Sequence, residues 1–158
     1  MRYPQTKLLK SSYSIYKYCS LVFAALQFIT VLPVFARSNT GQLRIPFGKT
    51  SVIVYDLKTG LMNVYKNNTA VFSNVYAQVK VNSRLISSKD YKSRTYIKTA
   101  INNGFGRGEK YIVKLTGGDL PEMDLVFYTY ANREYFLTET EIKGQNLKSN
   151  YMAPFCKT

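Results

Sequence analysis

The stretch TAVFSNVYAQVKV, residues 69–81, carries the alternation that decides the fold. One set of side chains is small and mostly apolar and points toward a packed core: Val71, Ser73, Val75, Ala77, Val79 and Val81. The other set points toward water or a ligand: Phe72, Asn74, Tyr76, Gln78 and Lys80. Because successive side chains of a strand point to opposite faces, a period of two predicts one long β-strand with a buried face.

Short strands and turns surround this stretch on both sides. SVIVYDL (51–57) and LMNVY (61–65) flank a turn in which Gly60 can take a positive φ, and Asn67 and Asn68 form the next turn. Further strands are predicted at TYIKTAI (95–101), KYIVKLT (110–116), MDLVFYTYA (123–131) and EYFLTETEIKG (134–144). No segment after Ala36 has helical periodicity, so the sequence predicts an all-β, antiparallel β-sandwich.

Residues 1–36 have the pattern of an export signal. Four basic residues precede an apolar run over 21–35: Arg2, Lys7, Lys10 and Lys17. Gln27, Thr30 and Pro33 weaken that run as a membrane-spanning helix. Val34 and Ala36 occupy the small-residue positions that precede a signal-peptidase cut. We therefore predict a signal helix, cleavage after Ala36 and a periplasmic or extracellular product without a stable membrane anchor; an uncleaved signal anchor is the alternative.

These patterns divide the chain into four parts. The predicted signal peptide covers 1–36, and a lead-in with the first strand covers 37–50. The predicted β-sandwich domain covers 51–150, and a short linker covers 151–158.

The composition argues against most catalytic and metal chemistry. The chain has 22 basic and 9 acidic residues, and removal of 1–36 leaves 18 basic residues and a formal charge of +9. Histidine is absent, which removes the commonest general base and zinc ligand. Of the two cysteines, Cys19 and Cys156, an exported chain keeps only Cys156. We therefore predict no catalytic residue, no metal ligand and no cofactor.

Four side chains are candidates for contact with carbohydrate or with another domain. Tyr128 and Tyr130 share one face of a predicted strand, and Tyr76 lies on the outward face of residues 69–81. Arg107 lies in NGFGRGEK (103–110), a glycine-rich loop followed by a strand. A phosphate loop is followed by a helix, so a hairpin loop is the better interpretation.

Two charged segments are interpreted as solvated. Glu139 and Glu141 share one face of a strand and point in parallel, whereas glycosidase carboxylates face each other across the substrate. SSKDYKSR (87–94) forms a basic cluster with Lys80 and Arg84, which we interpret as a solvated loop. Nucleic acid is not an expected partner of an exported chain.

Taken in order, several phrases resemble the N-terminal β-sandwich of secreted α-galactosidase-like glycoside hydrolases from Bacteroidetes. They are YDLKTGLMNVY, SSKDYKSR, GFGRGEKYIVKL, LPEMDLVFYTYANREYFLTETEIKG and SNYMAPF, and the resemblance runs from about 51 to about 155. The resemblance implies a supersandwich domain that precedes a (β/α)₈ barrel carrying two catalytic aspartates. No position here matches those aspartates, and CKT (156–158) departs from the pattern of the family beyond SNYMAPF.

The resemblance therefore implies a non-catalytic accessory domain, truncated before its barrel and inactive alone, with the barrel as partner and carbohydrate as ligand. A stand-alone secreted carbohydrate-binding module is the alternative. A third interpretation is a binder of nucleic acid or anionic membranes, attracted by the positive charge.

Overall fold

The computed structural model describes residues 41–157, which form ten β-strands. The strands are β1 (Gln42–Phe47), β2 (Ser51–Asp56), β3 (Met62–Lys66), β4 (Thr69–Val81), β5 (Arg84–Ser87), β6 (Ser93–Asn103), β7 (Gly106–Thr116), β8 (Glu122–Tyr130), β9 (Phe136–Lys143) and β10 (Ser149–Cys156). The predicted signal helix and its cleavage site lie outside the described residues. In the described part of the chain, no helix has the length and apolar character needed to cross a membrane.

Two antiparallel sheets pack face to face as a sandwich, which confirms the predicted fold class. The first sheet has the order β1-β2-β3-β4-β10, with β5 also paired to β4, and the second sheet has the order β6-β7-β8-β9. Tight turns join most neighbouring strands. Gly60 has a φ of +76°, and Asn67 and Asn68 have φ values of 50° and 61°, so the β2–β3 and β3–β4 hairpins turn where the sequence predicted.

Strand β4 has the predicted bounds, and its halves have different neighbours. Residues 69–75 pair with β3, whereas residues 76–81 lie between β5 and β10. The predicted core-facing residues from position 75 onward are buried: Val75, Ala77, Val79 and Val81.

A bulge changes the phase of the first half of β4. The strand pairs Val75 with Met62 but Phe72 with Val64, so one extra residue of β4 lies between the two pairs, and Asn74 there has a φ of 57°. A bulge reverses which side the following residues face. Phe72, predicted to face outward, therefore lies on the side of the buried Val64. The predicted core positions Val71 and Ser73 are exposed.

The core is filled from both sheets by alternating side chains. In β8, Met123, Leu125 and Phe127 point inward, and Ile45, Ile53 and Met62 meet them from the first sheet. Strand β1 lies within 37–50, where the sequence predicted a first strand, whereas Ser149–Cys156 pairs with β4 where a linker was expected from 151. The short strand β5 was not predicted.

A buried arginine joins the two sheets at one end of the sandwich. Arg94 of β6 donates to the backbone oxygen of Ser88 from Nε at 3.1 Å and from Nη2 at 2.7 Å. It also donates to the backbone oxygens of Lys58 and Lys89, each at 3.0 Å. The prediction of a solvated basic loop is therefore wrong for Arg94, because these carbonyl groups replace the water that a surface cation would keep.

Ser88 and Gly60 complete this contact. The Ser88 hydroxyl donates to the Gly60 oxygen at 2.7 Å and accepts from the Ala77 amide at 3.2 Å. A Cβ atom added to Gly60 would lie 2.2 Å from the Ser88 oxygen, so only glycine fits between the turn and Arg94. We call Arg94, Ser88 and Gly60, with the carbonyl groups of Lys58 and Lys89, the arginine junction.

Replacing Arg94 with glutamine is expected to lower the free energy of unfolding by about 3 kcal/mol, because buried carbonyl groups lose a charged donor. Denaturation in urea measures the change. Arg84→Gln removes the same charge from an exposed site on β5 and should change stability by less than about 0.5 kcal/mol. Equal effects of the two substitutions would contradict the assigned role of the arginine junction.

Tyr55 lies fully buried beside the arginine junction, and its hydroxyl has no hydrogen-bond partner. Burial raises the pKa of Tyr55 to about 12 from an ordinary value of 10.0, although the nearby Arg94 charge partly opposes the shift. The unfolded chain therefore releases this proton at lower pH than the folded chain does.

Stability should consequently fall as pH rises from about 10 to about 12, with Tyr55 contributing a slope of about 1.4 kcal/mol per pH unit. Tyr55→Phe is expected to remove that share of the slope, and to leave stability at neutral pH unchanged or slightly higher because the hydroxyl has no partner. Urea denaturation at a series of alkaline pH values measures both effects. An unchanged slope in the variant would show that Tyr55 does not titrate in this range.

Candidate functional site

Tyr128 and Tyr130 lie on the outer face of the second sheet, because they alternate with the core residue Phe127 along β8. The Tyr128 hydroxyl donates to Glu139 at 2.9 Å, and the Lys110 ammonium lies 5.2 Å from the centre of the Tyr128 ring. Burial and the adjacent Glu139 carboxylate raise the pKa of Tyr128. The half-exposed ring is therefore held in place by polar contacts on two sides.

Three aromatic rings meet where β8 ends, and we call them the aromatic corner. Tyr130 is buried, and its ring centre lies 5.7 Å from that of Phe105 and 6.4 Å from that of Tyr135. The Tyr130 hydroxyl accepts from the Asn103 side-chain nitrogen at 3.1 Å. Phe105 is 56% exposed and Tyr135 is 42% exposed, so two ring surfaces remain available on either side of a fixed central ring.

The hairpin between β6 and β7 positions Phe105 for this contact. Asn103 pairs with Gly106, and the Asn103 side-chain oxygen accepts from the Phe105 amide at 3.0 Å. A Cβ atom on Gly108 would lie 2.1 Å from the Thr129 oxygen, so glycine is needed for β7 to approach β8 closely. Gly106, with a φ of +112°, serves the turn of the hairpin, and both strands extend into the segment that the sequence assigned to a loop.

Arg107 lies on β7 near the aromatic corner, but its side chain is on the opposite face of the sheet. It lines a groove of about 360 Å³ together with Tyr130 and with Phe47 and Gly48 of the β1–β2 turn. The Arg107 oxygen accepts from the Ala131 amide at 3.2 Å, which ties the hairpin to the corner after β8. The structure thus brings Arg107 and Tyr130 together, and it places Tyr128 two residues away on the same strand.

The same groove includes one carboxylate, which has its own partners. Glu109 contacts the Lys98 ammonium at 2.6 Å and accepts from the Tyr111 hydroxyl. Burial alone would raise the pKa of Glu109, but the hydrogen bonds from Lys98 and Tyr111 outweigh it, and the net pKa is lowered. Glu109 is therefore a paired carboxylate, not a proton donor poised for catalysis.

Tyr76 does not join this site. It lies on β4 of the first sheet and is buried beneath Lys89, whose ammonium is 4.0 Å from the ring centre. Tyr111 and Tyr151 also lie elsewhere, since Tyr111 is in the core and Tyr151 pairs with Lys80 on the first sheet. Tyr135, in contrast, reaches the aromatic corner.

Sequence reasoning missed Phe105, because a single phenylalanine in a polar hairpin tip carries no periodic signal. Glu139 and Glu141 share the exposed side of β9, as predicted. Within residues 41–157, no three acidic or cysteine side chains are grouped so that they could hold a metal ion. The chain matches no protein-family model, no curated protein and no solved structure.

Proposed function

We propose that this chain is a non-catalytic β-sandwich domain that binds carbohydrate at the aromatic corner, as an accessory domain of an exported, α-galactosidase-like glycoside hydrolase. The observation that carries the proposal is the pair of half-exposed rings, Phe105 and Tyr135, packed on either side of buried Tyr130. Such rings offer flat apolar surfaces to the C–H faces of a sugar.

The order of the aromatic corner favours binding. Ring packing and the Asn103 hydrogen bond fix Tyr130 before any ligand arrives, so less side-chain freedom is lost when a sugar binds. Asn103 supplies a side-chain amide donor beside the rings, which suits the hydroxyl groups of a saccharide. A few polar groups around apolar surfaces are the usual composition of a small-molecule site.

The accessory domain and the stand-alone module differ in whether this chain binds sugar by itself. In the accessory role, the aromatic corner contributes to the rim of a site completed by a catalytic barrel. In the stand-alone role, the aromatic corner is sufficient. The parallel arrangement of Glu139 and Glu141 and the pairing of Glu109 favour a non-catalytic domain in either case.

Affinity electrophoresis through gels containing galactans, galactomannan and other polysaccharides is expected to show retardation of the chain. The double substitution of Phe105 and Tyr135 with alanine should weaken association about tenfold, since each lost ring contact contributes about 0.5–1.5 kcal/mol. Tyr151→Ala is the matched control, because Tyr151 is 42% exposed, like Tyr135, but lies on the other sheet.

If no polysaccharide retards the chain, the stand-alone role is refuted. The accessory role then predicts that the chain is retarded only when it is combined with a catalytic barrel. Equal retardation of the double variant and the control would remove the aromatic corner as the binding site. The chain is also expected to release no aryl group from aryl α-galactosides, and turnover would refute the non-catalytic assignment.

A further inference from the structure

The first half of β4 has a free edge. Strand β3 covers one side of residues 69–75. On the other side, β10 pairs with β4 only as far as the partners Cys156 and Tyr76. Among residues 41–157, no strand pairs with that second side of 69–75, and Val71 is 53% exposed. Backbone amide and carbonyl groups along this edge are therefore open to another strand.

The other outer strands carry groups that discourage pairing with a foreign strand. Strand β1 has the exposed residues Arg44 and Pro46, and β6 has the exposed Lys98. Strand β9 alternates exposed charged side chains, including Glu139, while β10 contains Pro154 and the short β5 begins with an arginine. Charged side chains and proline are the usual protection of an exposed edge, because they oppose the addition of a further strand.

Residues 69–75, with the sequence TAVFSNV, have no such groups, and their protection is limited to irregular pairing with β3, including the bulge at Asn74. The segment contains no charged residue and no proline, although the whole chain has 22 basic residues. It also contains β-branched and aromatic residues, which favour extended structure. Of the outer edges of the two sheets, this one is suited to accept a strand that is itself uncharged.

An apolar groove adjoins the free edge. The groove has a volume of about 410 Å³ and lies between Phe72 and Val75 of β4, Phe136 of β9 and Phe155 of β10, and Lys157, which follows β10, also lines it. The Phe136 ring packs against Phe155 at 5.7 Å and against Phe47 at 5.0 Å, so the inner wall is fixed. A strand added beside residues 69–75 would cover Phe72 and close the mouth of this groove.

We propose that a second copy of this chain occupies the edge, through antiparallel pairing of the two β4 strands about a two-fold axis near Phe72. A two-fold axis brings the same segment from both copies together, so the paired residues 69–75 add no charge to the contact, and Lys157, which lines each groove, is the cation that must stay solvated beside it. This match avoids the repulsion that the other, mostly basic surfaces of two copies would experience. Each Phe72 then lies beside its counterpart and next to both grooves, which removes the half-exposed ring from water.

Sedimentation equilibrium of the full-length chain, expressed with its own N-terminal segment, tests the proposal. The wild-type chain is expected to form a dimer. Val71→Lys places like charges across the strand pair and should raise the dimer dissociation constant about tenfold or more. Leu85→Lys is the matched control, because Leu85 is 54% exposed on β5, away from this edge, and its dimer should be retained. Thermal unfolding of both variants shows whether the monomer fold is intact.

Hydrogen exchange provides a readout confined to the edge. Protection of the amides in residues 69–75 should rise with protein concentration in the wild-type chain and not in Val71→Lys. A wild-type chain that stays monomeric to about 1 mM would overturn the proposal, as would equal effects of the two lysine substitutions. Protection of 69–75 that is high at every concentration would assign the edge to the chain's own residues 1–40 and would equally overturn it.

Discussion

A cation held by neutral backbone groups is the constraint on which the packing of the two sheets depends. Arg94 extends from β6 of the second sheet to carbonyl groups of the β2–β3 turn and of the segment after β5, both in the first sheet. No carboxylate contacts it among the described residues, so the compensation for burying its charge comes from well-placed carbonyl dipoles. To bring these carbonyl groups close to Arg94, the chain must also pack tightly at Ser88 and at Gly60, whose Cα has no room for a side chain.

The aromatic corner lies on the outer face of the second sheet and contrasts with the arginine junction, because it exposes apolar surface where the junction buries a charge. Its central ring is immobilised by neighbours, while Phe105 and Tyr135 keep large surfaces in water. The hydrophobic effect would favour covering those surfaces, and the fold leaves them uncovered on a rigid sheet. Rigid aromatic surface combined with a few donors is a property of binding faces, which is why the proposed function is placed there.

The sequence was informative where structure is local and silent where it depends on distant partners. Period-two alternation and the turn residues Gly60, Asn67 and Asn68 were enough to predict strands β2 to β4 and β6 to β9, the hairpins at those turns and the sandwich. The side faced by Phe72 could not be predicted, because the bulge arises from the pairing of β4 with β3. The burial of Arg94 could not be predicted either, since carbonyl ligands leave no side-chain pattern. Tyr130 and Arg107 were found as candidates, whereas Phe105 required the folded hairpin to reveal its contact.

Because the two halves of β4 pair with different strands, they are expected to pair at different times during folding. Its first half is joined to β3 by the short turn at Asn67 and Asn68, so that hairpin can close soon after both strands exist. One side of its second half must await β10, which pairs Val81 with Ser149 across most of the folded domain. Closing so long a loop is entropically slow, and the first sheet therefore stays incomplete until the final segment docks. Throughout that interval a growing chain depends on its surroundings, rather than on its own sequence, to keep that side of β4 from mispairing.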